Sequence, residues 1–243
     1  MELESGTRAI VALVWARRLG LPDDALQQAA MGAPSQRLAV PVDDDSVLFL
    51  RYLTGTVLCA PAWALEVLSD YDDDTLAASS GLVRALRGSG HDDAAGLRSS
   101  GDFALYYLDD PVNVEPSDTA SVSFDRDHAR LLEDSSPKDD TVGLDISGRE
   151  HTFTLVADEG QAPLATSSYN IWEGLIADVA TVTLPQIRRH GLGAYITAVA
   201  ADDALTQGYT PQWRAPRDSP AAHQLALDVG FVDAGSVSTA TLG

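Results

Sequence analysis

The spacing of apolar and polar positions in the first half of the chain predicts short helices and strands. Apolar residues recur every three or four positions where a helix is expected, and in alternation or short runs where a strand is expected. On this basis we predict a helix over residues 7–19, two strands within 46–60, helices over 63–68 and 75–86, and a strand over 103–108. Residues 109–145 are dense in Asp, Ser and Pro, which predicts a surface loop or linker with one helical turn at 128–133.

The second half of the chain has a more regular pattern. Its predicted elements are strands over 151–157, 164–171 and 176–184, a helix that ends near Gly208, a strand over 212–215, a helix over 219–229 and a strand over 236–242. A hairpin turn is expected at 158–161, between the first two of these strands. The order β-β-β-α-β-α-β predicts an α+β layered fold in which helices flank a mixed sheet.

Composition and charge narrow the possible functions. Of the 243 residues, 45% are hydrophobic, which is enough for one large core or two small ones. The 36 acidic residues against 16 basic ones give a formal charge of −20, so most of the surface would repel a nucleic acid or an anionic membrane. We therefore expect no nucleic-acid partner and no membrane association. We interpret the acidic surface first as adaptation to salt, with attraction of a cationic substrate as the alternative.

Cysteine usage and the start of the chain predict a cytoplasmic protein. Cys59 is the single cysteine, which excludes internal disulfides and metal clusters built from several cysteines. The N-terminus lacks the basic segment of a secretory signal, and no run reaches the roughly 20 apolar residues of a membrane-spanning helix. The five histidines show no metal-ligand spacing, so no metal is expected.

The acidic charge is concentrated in the first part of the chain. Residues 1–158 carry a net charge of −16, and residues 159–243 a net charge of −4, so the two parts are expected to differ in role. We place a domain boundary after residue 140, with the chemistry in residues 141–243. Residues 1–140 would form a substrate-recognition domain, a degenerate second domain or a dimerisation element, and the last of these would make the protein a homodimer.

The segment that carries recognisable chemistry is Arg188-Arg189-His190-Gly191-Leu192-Gly193-Ala194, between a predicted strand and a predicted helix. Its glycines allow a tight turn with backbone N–H groups pointing one way. The first N–H groups of the following helix are unpaired and lie at the positive end of its dipole. With the adjacent arginines, this arrangement predicts a site for an anion such as a pyrophosphate, the alternative being a plain strand-to-helix turn.

The spacing R-x-x-G-x-G in this segment resembles the acyl-CoA loop of the GNAT N-acetyltransferase superfamily. Two downstream segments, Pro211-Gln212-Trp213 and the run from Ser219 to Phe231, resemble that family's fifth strand and the helix after it. The resemblance covers about residues 148–243. It implies a GNAT acyl-CoA N-acyltransferase-like mixed sheet flanked by helices, with an additional or divergent N-terminal part.

The resemblance also implies an activity, which is transfer of an acetyl group from acetyl-CoA to a primary amine of a small molecule or peptide. The strand would lend backbone groups to the pantetheine arm, and the loop amides would hold the pyrophosphate. The implied acyl-CoA contacts are Thr181, Val182, Thr183, Arg188, Arg189, His190, Gly191, Leu192, Gly193, Ala194 and Ser219, the last standing where the family usually has Asn. Arg214 and Arg217 would neutralise the 3′-phosphate, or be ordinary exposed arginines.

Catalysis in this family requires an oriented amine, a base that removes its proton and an acid that protonates the leaving thiolate. The family's usual acid is a Tyr, and Ala226 occupies that position here. We consider Glu173 and Asp178 as the base and His223 as the acid, and expect more of the activity to depend on Glu173 than on His223. The alternative function is a non-catalytic GNAT-fold module that binds CoA or acts as a sensor or interaction surface.

Overall fold

The computed structural model describes residues 2–112, 114, 120–157 and 162–241. The chain forms two compact units. The N-terminal unit contains Glu4–Leu105, Ala215–Pro220 and the chain from Asp233 onward, and the C-terminal unit contains Tyr106–Arg214 and Ala221–Val232. The chain therefore returns twice to the N-terminal unit. The functional boundary that the sequence predicts after residue 140 stays a prediction.

The N-terminal unit begins with two helices and alternates strands with short helices. Its elements are α1 (Ser5–Arg18), α2 (Gln27–Ala30), β1 (Leu38–Pro41), β2 (Ser46–Tyr52), β3 (Gly55–Ala60), α3 (Ala62–Leu68), α4 (Asp73–Leu76), α5 (Ser79–Gly88), a 3₁₀ turn (Asp92–Ala94) and β4 (Arg98–Tyr107), whose last two residues belong to the C-terminal unit. The predicted strand pair within 46–60 is confirmed, and it turns at Leu53 and Thr54.

The C-terminal unit holds most of the remaining elements. They are β5 (Ala120–Ser123), α6 (Arg126–Ser135), α7 (Lys138–Thr141), β6 (His151–Ala157), β7 (Pro163–Trp172), β8 (Ile176–Thr183), a 3₁₀ turn (Pro185–Ile187), α8 (Leu192–Thr206), β9 (Thr210–Pro216) and α9 (Pro220–Val229). The final strand, β10 (Val232–Thr241), lies almost wholly in the N-terminal unit. The order β6-β7-β8-α8-β9-α9-β10 matches the sequence prediction.

The sheet of the N-terminal unit packs against an apolar core. β2 pairs antiparallel with both β3 and β10, and β1 pairs parallel with β3. One continuous cluster joins these strands to α3, α4 and α5 through fully buried leucines, among them Leu68, Leu76, Leu82 and Leu86. On the other side, the Tyr52 hydroxyl donates to the Arg8 carbonyl oxygen of α1 at 2.8 Å. The burial of these aliphatic side chains stabilises the unit.

The sheet of the C-terminal unit is mixed and has helices on both faces. β5, β6, β7 and β8 pair antiparallel in sequence order, and β9 pairs parallel with β8. On one face, Leu132 of α6 packs with Ala180 and Val182 of β8. On the other, Thr181 meets Thr197 of α8 through their hydroxyls at 2.7 Å. The predicted α+β layered fold around a mixed sheet is confirmed.

The prediction of a loop over 109–145 is wrong where the structure has a strand and two helices, Ala120–Ser123, Arg126–Ser135 and Lys138–Thr141. Ala120–Ser123 forms an edge strand on β6, and the helical turn expected at 128–133 extends to Arg126–Ser135. The pattern was weak because Ala129 and Leu132 are the two buried residues in that acidic helix. The hairpin turn predicted at 158–161 lies outside the described residues. Its flanking strands β6 and β7 pair antiparallel, as expected.

Candidate functional site

The two parallel strands of the C-terminal sheet, β8 and β9, stop pairing before β8 ends. β8 and β9 pair from Ile176↔Thr210 to Val179↔Trp213. β8 then continues to Thr183, still paired with β7 on its other edge. Four residues of β8, spanning about 13 Å, therefore have one edge without a described strand partner. Such an edge presents backbone N–H and C=O groups that an extended ligand can bind.

The open edge of β8 leads directly to the N-terminus of α8. Gly191 is the N-cap of this helix, with φ +80° in the left-handed region that favours glycine. No side chain caps the helix, and the Tyr195 N–H is the first to bond back, to the Gly191 carbonyl oxygen at 2.9 Å. The N–H groups of Leu192, Gly193 and Ala194 are the orphan donors of the first turn. They lie at the positive end of a 15-residue helix, and helix N-termini of this kind commonly bind anions.

Gly193 is required by the close approach of three elements. A Cβ at this position would lie 3.0 Å from Thr183 Oγ1 and 3.3 Å from Leu225 Cδ1. The end of β8, the first turn of α8 and the side of α9 therefore meet here. The Thr197 hydroxyl donates to the Gly193 carbonyl oxygen at 2.7 Å, which fixes this turn of the helix. The second glycine of the sequence motif thus serves packing, and the first serves the turn.

The two arginines and the histidine of the loop make different contacts. Arg188 is bound at both ends of its guanidinium, with Nε donating to the Thr183 carbonyl oxygen at 3.1 Å and Nη2 to Asp140 Oδ2 at 2.6 Å. His190 Nδ1 lies 3.1 Å from the Ile187 carbonyl oxygen. Arg189 has φ +66°, and its exposed side chain makes no hydrogen bond or ion pair with a described residue. Arg188 therefore ties the loop to Thr183 and Asp140, whereas the Arg189 side chain is exposed.

The strand residues named by the sequence analysis face both sides of the sheet. Thr181 Oγ1 lies 2.9 Å from Ser167 Oγ and 2.7 Å from Thr197 Oγ1, so it faces α8. Thr183 faces the same way and reaches Gly193, whereas Val182 is buried against α6. The structure thus brings Thr181, Val182 and Thr183 next to the loop. Their side chains pack, which leaves their backbone groups as the ones available to a ligand.

Asp178 lies in a buried polar network on the face of the sheet opposite α8. Its Oδ1 accepts from Gln212 Nε2 at 3.0 Å and from Arg214 Nε at 2.9 Å, and its Oδ2 accepts from Arg214 Nη2 at 2.9 Å. Arg149 Nη1 lies 3.6 Å from Oδ2 and donates to the Asp178 carbonyl oxygen at 2.5 Å. The Tyr107 hydroxyl donates to Gln212 Oε1 at 2.6 Å and extends the network.

The charged side chains Asp178 and Arg149 of this network are almost completely buried. Asp178 is 3% exposed and Arg149 5% exposed. Burial lowers the pKa of Arg149, and the Asp178 carboxylate opposes that shift. Both oxygens of Asp178 are occupied, so the geometry favours a positioning role, and its assignment as the base stays a prediction. Arg214 also lies over the Trp172 ring at 5.1 Å, so it is an internal ion-pair partner, and its role toward a 3′-phosphate stays a prediction.

His223 lies where the two parallel strands separate. Trp213, the last paired residue of β9, donates from Nε1 to the Ala222 carbonyl oxygen of α9 at 3.2 Å. The neighbouring His223 has Nδ1 2.7 Å from the hydroxyl of Tyr106, which is 5% exposed. Ala226, one turn further along α9, is fully buried. A phenol therefore lies beside α9 although the helix itself has none at the expected position.

Glu173 lies away from this place, and Ser219 directly precedes α9 in the chain. Glu173 has φ +53° in the tight turn between β7 and β8, where the Leu175 N–H bonds to the Trp172 carbonyl oxygen at 3.0 Å. This turn is at the start of β8, at least about 10 Å along the strand from Val179. Ser219 belongs to the N-terminal unit, and its N–H bonds to the Pro216 carbonyl oxygen at 2.9 Å. Their predicted roles stay predictions.

Comparison with known proteins finds similar solved structures. No protein-family model matches the chain, and no curated protein matches it. A Drosophila structure is similar with a TM-score of 0.50 and 13% identity, over 60% of this chain and 52% of that one. A GNAT-family protein from Novosphingobium aromaticivorans is similar with a TM-score of 0.46 and 15% identity, over 61% of this chain and 69% of that one. A GCN5-related N-acetyltransferase from Kribbella flavida has a TM-score of 0.45 and 18% identity, over 66% and 63%.

Two of these three similar structures are GNAT-family or GCN5-related proteins. The chain spans about half the length of the Drosophila protein and less than two thirds of the Kribbella protein. At these identities the similarity concerns the fold, and the site has to be argued from its own residues. No helix in the described ranges is long and apolar enough to cross a membrane. Across the same residues, no group of three or more His, Cys, Asp or Glu side chains is placed to hold a metal ion.

Sequence reasoning missed the residues that reach this site from distant segments. Tyr106 and Tyr107 stand side by side in a predicted strand, with no signal that one contacts α9 and the other Gln212. Arg149 carried one signal, a lone arginine just before the apolar alternation of β6. An arginine there is ordinarily exposed, and its burial against Asp178 follows from the packing of the sheet.

Proposed function

We propose that the protein is an acetyl-CoA-dependent N-acetyltransferase that acetylates a primary amine. The observation that carries the proposal is the separation of β8 from β9 after Val179 and Trp213, which opens one edge of β8 as far as the uncapped N-terminus of α8. A polar arm attached to a pyrophosphate fits this combination. The arm would bind as an added strand, and the pyrophosphate would lie on the helix N-terminus.

The donor would be held mainly by backbone groups. The edge of β8 from Ala180 to Thr183 offers backbone N–H and C=O groups to the two amides of a pantetheine arm, apart from the Thr183 carbonyl oxygen, which already accepts from Arg188 Nε. The N–H groups of Leu192, Gly193 and Ala194 and the Arg189 guanidinium would meet the phosphates. The thioester would then lie about 13 Å back along the strand, near Val179 and Trp213. Side chains take little part, which is consistent with the packed threonines of β8.

The reaction itself needs orientation and two proton transfers. The neutral amine nitrogen attacks the thioester carbonyl carbon, the new C–N bond forms, and the C–S bond breaks to release a thiolate. A base takes the proton from nitrogen, and an acid gives one to sulfur. We propose the Tyr106 hydroxyl, paired with His223 Nδ1 at 2.7 Å, as the group that protonates the thiolate. It lies beside the helix position at which the family's tyrosine is missing.

Titration calorimetry with acetyl-CoA tests the donor site. We expect the wild-type chain to bind acetyl-CoA and the Gly191→Asp variant to lose binding, because a carboxylate would lie where the pyrophosphate should. Asp is among the L-residues that tolerate a positive φ, so the variant should fold. Gly208→Asp is the matched control, since it also has a positive φ and open space around it. Equal affinity of wild type and Gly191→Asp would overturn the loop assignment.

Two departures from the family pattern support a second candidate, a GNAT-fold module that binds CoA without catalysis. Ala226 replaces the usual tyrosine, and Ser219 replaces the usual asparagine. An acetyl-transfer assay with a panel of primary amines, in which the release of free thiol is measured, separates the two functions. Binding of acetyl-CoA without thiol release for any amine would favour the module. Thiol release that is lost in Gly191→Asp would favour the enzyme.

A further inference from the structure

Three arginines line one cavity of the N-terminal unit. The cavity has a volume of about 460 Å³, and Arg84, Arg87 and Arg98 contribute to its wall together with the hydroxyl residues Ser80 and Ser99. The whole chain has 16 basic residues against 36 acidic ones. Three of these scarce cations therefore surround a single depression, which goes against the strongly negative charge of the rest of the molecule.

The positions of the three arginines on α5 and β4 bring them together. Ser80, Arg84 and Arg87 are spaced four and three residues apart on α5, so they share one face of the helix. Arg98 and Ser99 begin β4 and form the opposite wall. Arg87 Nη2 donates to the Leu97 carbonyl oxygen at 2.7 Å, which holds one guanidinium against the start of that strand. Like charges at this helical spacing repel each other unless an anion lies between them.

No acidic side chain of the described residues neutralises this cluster. None of the three arginines forms an ion pair with a described carboxylate, although Arg17, Arg37 and Arg51 of the same unit all do. The nearby Asp102 has both oxygens occupied, by the Ser79 N–H and hydroxyl at 2.7 Å each. The cluster therefore lacks a carboxylate partner among the described residues, and the Ser99 hydroxyl beside it lies 2.6 Å from the Ser79 hydroxyl.

We propose that this cavity binds a small phosphate-bearing compound carrying at least two negative charges. Guanidinium groups bind phosphate oxygens through paired N–H donors, and linked phosphates bring several negative charges close together to match three arginines. The site belongs to the N-terminal unit and does not depend on the acetyl-CoA assignment. Its ligand is a substrate, product or effector whose polyphosphate or phosphate ester is recognised there.

Calorimetric titration with inorganic pyrophosphate tests the proposal in the full-length chain carrying Gly191→Asp, which blocks the proposed donor loop. We expect binding in this background, and an at least about tenfold loss of affinity when Arg84→Gln and Arg98→Gln are added. Arg51→Gln is the matched control, because it removes one positive charge from the same unit outside the cavity. Pyrophosphate should slow hydrogen exchange over residues 79–99 in the Gly191→Asp chain. It should not do so when Arg84→Gln and Arg98→Gln are added.

Three outcomes would overturn the proposal. The first is no measurable binding up to about 5 mM pyrophosphate in the Gly191→Asp background. The second is equal affinity in the Arg84→Gln, Arg98→Gln variant, or an equal loss in Arg51→Gln. The third is binding of citrate as tight as that of pyrophosphate, which would show that the cavity selects for charge and not for phosphate.

Discussion

The two compact units differ in what they bury. In the described residues of the N-terminal unit, the buried polar side chains are neutral, namely Thr7, Thr56, Ser79, Ser236 and Ser238. The C-terminal unit buries two charged side chains, Arg149 and Asp178, and a larger polar set around them that includes Thr152, Thr154, Thr166, Ser167, Ser168, Thr197 and Gln212. The first unit is held by aliphatic packing, and the second by a mixture of packing and hydrogen bonds.

This difference indicates where the molecule uses its polar groups. A buried polar group destabilises a fold unless it is hydrogen-bonded, and a buried charge does so more strongly unless it is paired. In the C-terminal unit these groups cluster where β8 and β9 begin to separate, because Asp178 and Gln212 face each other one pair before the last. We infer that the network fixes the point of separation and so shapes the cleft.

Among the changes that test this difference between the units, deletion of the N-terminal residues should have the largest effect on stability. A chain that begins at Asp140 keeps the predicted acyl-CoA elements but loses β5 and α6 from its own unit. Leu132 of α6 is fully buried against Val182, so its loss exposes one face of the sheet. We expect no cooperative unfolding transition by calorimetry.

A longer chain provides the control for that deletion. A chain that begins at Tyr106 retains β5 and α6, and should keep more of the native circular dichroism than the one that begins at Asp140. If residues 140–243 instead unfold cooperatively as a monomer, the edge strand and α6 are dispensable and the boundary predicted after residue 140 is a domain boundary.

Breaking the buried ion pair should be the next largest effect. Asp178→Ala leaves Arg149 buried without its partner, which typically destabilises a protein by about 3–5 kcal/mol. Urea denaturation measures the free energy of unfolding. Asp74→Ala is the control, because Asp74 is 92% exposed and its pair with Arg51 lies at the surface. A small change for Asp178→Ala, similar to that of Asp74→Ala, would contradict a structural role for the network.

The apolar core of the N-terminal unit should respond to cavity formation without a change in donor binding. Leu86 is fully buried, so Leu86→Ala should lower the free energy of unfolding by about 2–5 kcal/mol. Acetyl-CoA affinity, measured by calorimetry well below the unfolding temperature, should stay within about twofold of wild type. A large loss of affinity with the fold intact would mean that the donor site depends on packing in the N-terminal unit.

The sequence predicts the local parts of this site and misses the distant ones. The R-x-x-G-x-G loop is recognisable because its turn, helix start and close packing all depend on neighbouring residues. The partners of Asp178 come from Arg149, Gln212 and Arg214, and no local pattern links them. The short edge strand β5 was also missed, because four residues at a sheet edge bury too little apolar surface to show alternation.

The proposed acid should have a moderate effect that depends on pH. Tyr106→Phe and His223→Ala should each lower the rate of acetyl transfer at neutral pH, by roughly 10²-fold for a well-placed acid. Glu173→Gln should lower it less, because Glu173 lies at the start of β8. This order reverses the one that the sequence favours. A pH–rate profile checks it, and a tenfold loss for Glu173→Gln with none for Tyr106→Phe would restore the sequence-based order.

The smallest effect concerns Cys59 in the N-terminal unit, where burial should make the thiol inert. Cys59 is 6% exposed, and burial, helped by the negative charge of Asp44, raises its pKa from 9.0 to about 11. The thiolate is the reactive form, so at pH 8 its fraction should fall about 100-fold relative to an unperturbed thiol. The reaction of Cys59 with a disulfide reagent can be monitored by absorbance. It should be slow in the folded chain, and in urea it should reach the rate of free cysteine. The raised pKa also stabilises the folded state below pH 9, and that contribution is lost as the pH rises towards 11. Rapid reaction of the folded chain at pH 8 would show that this part of the apolar core opens readily.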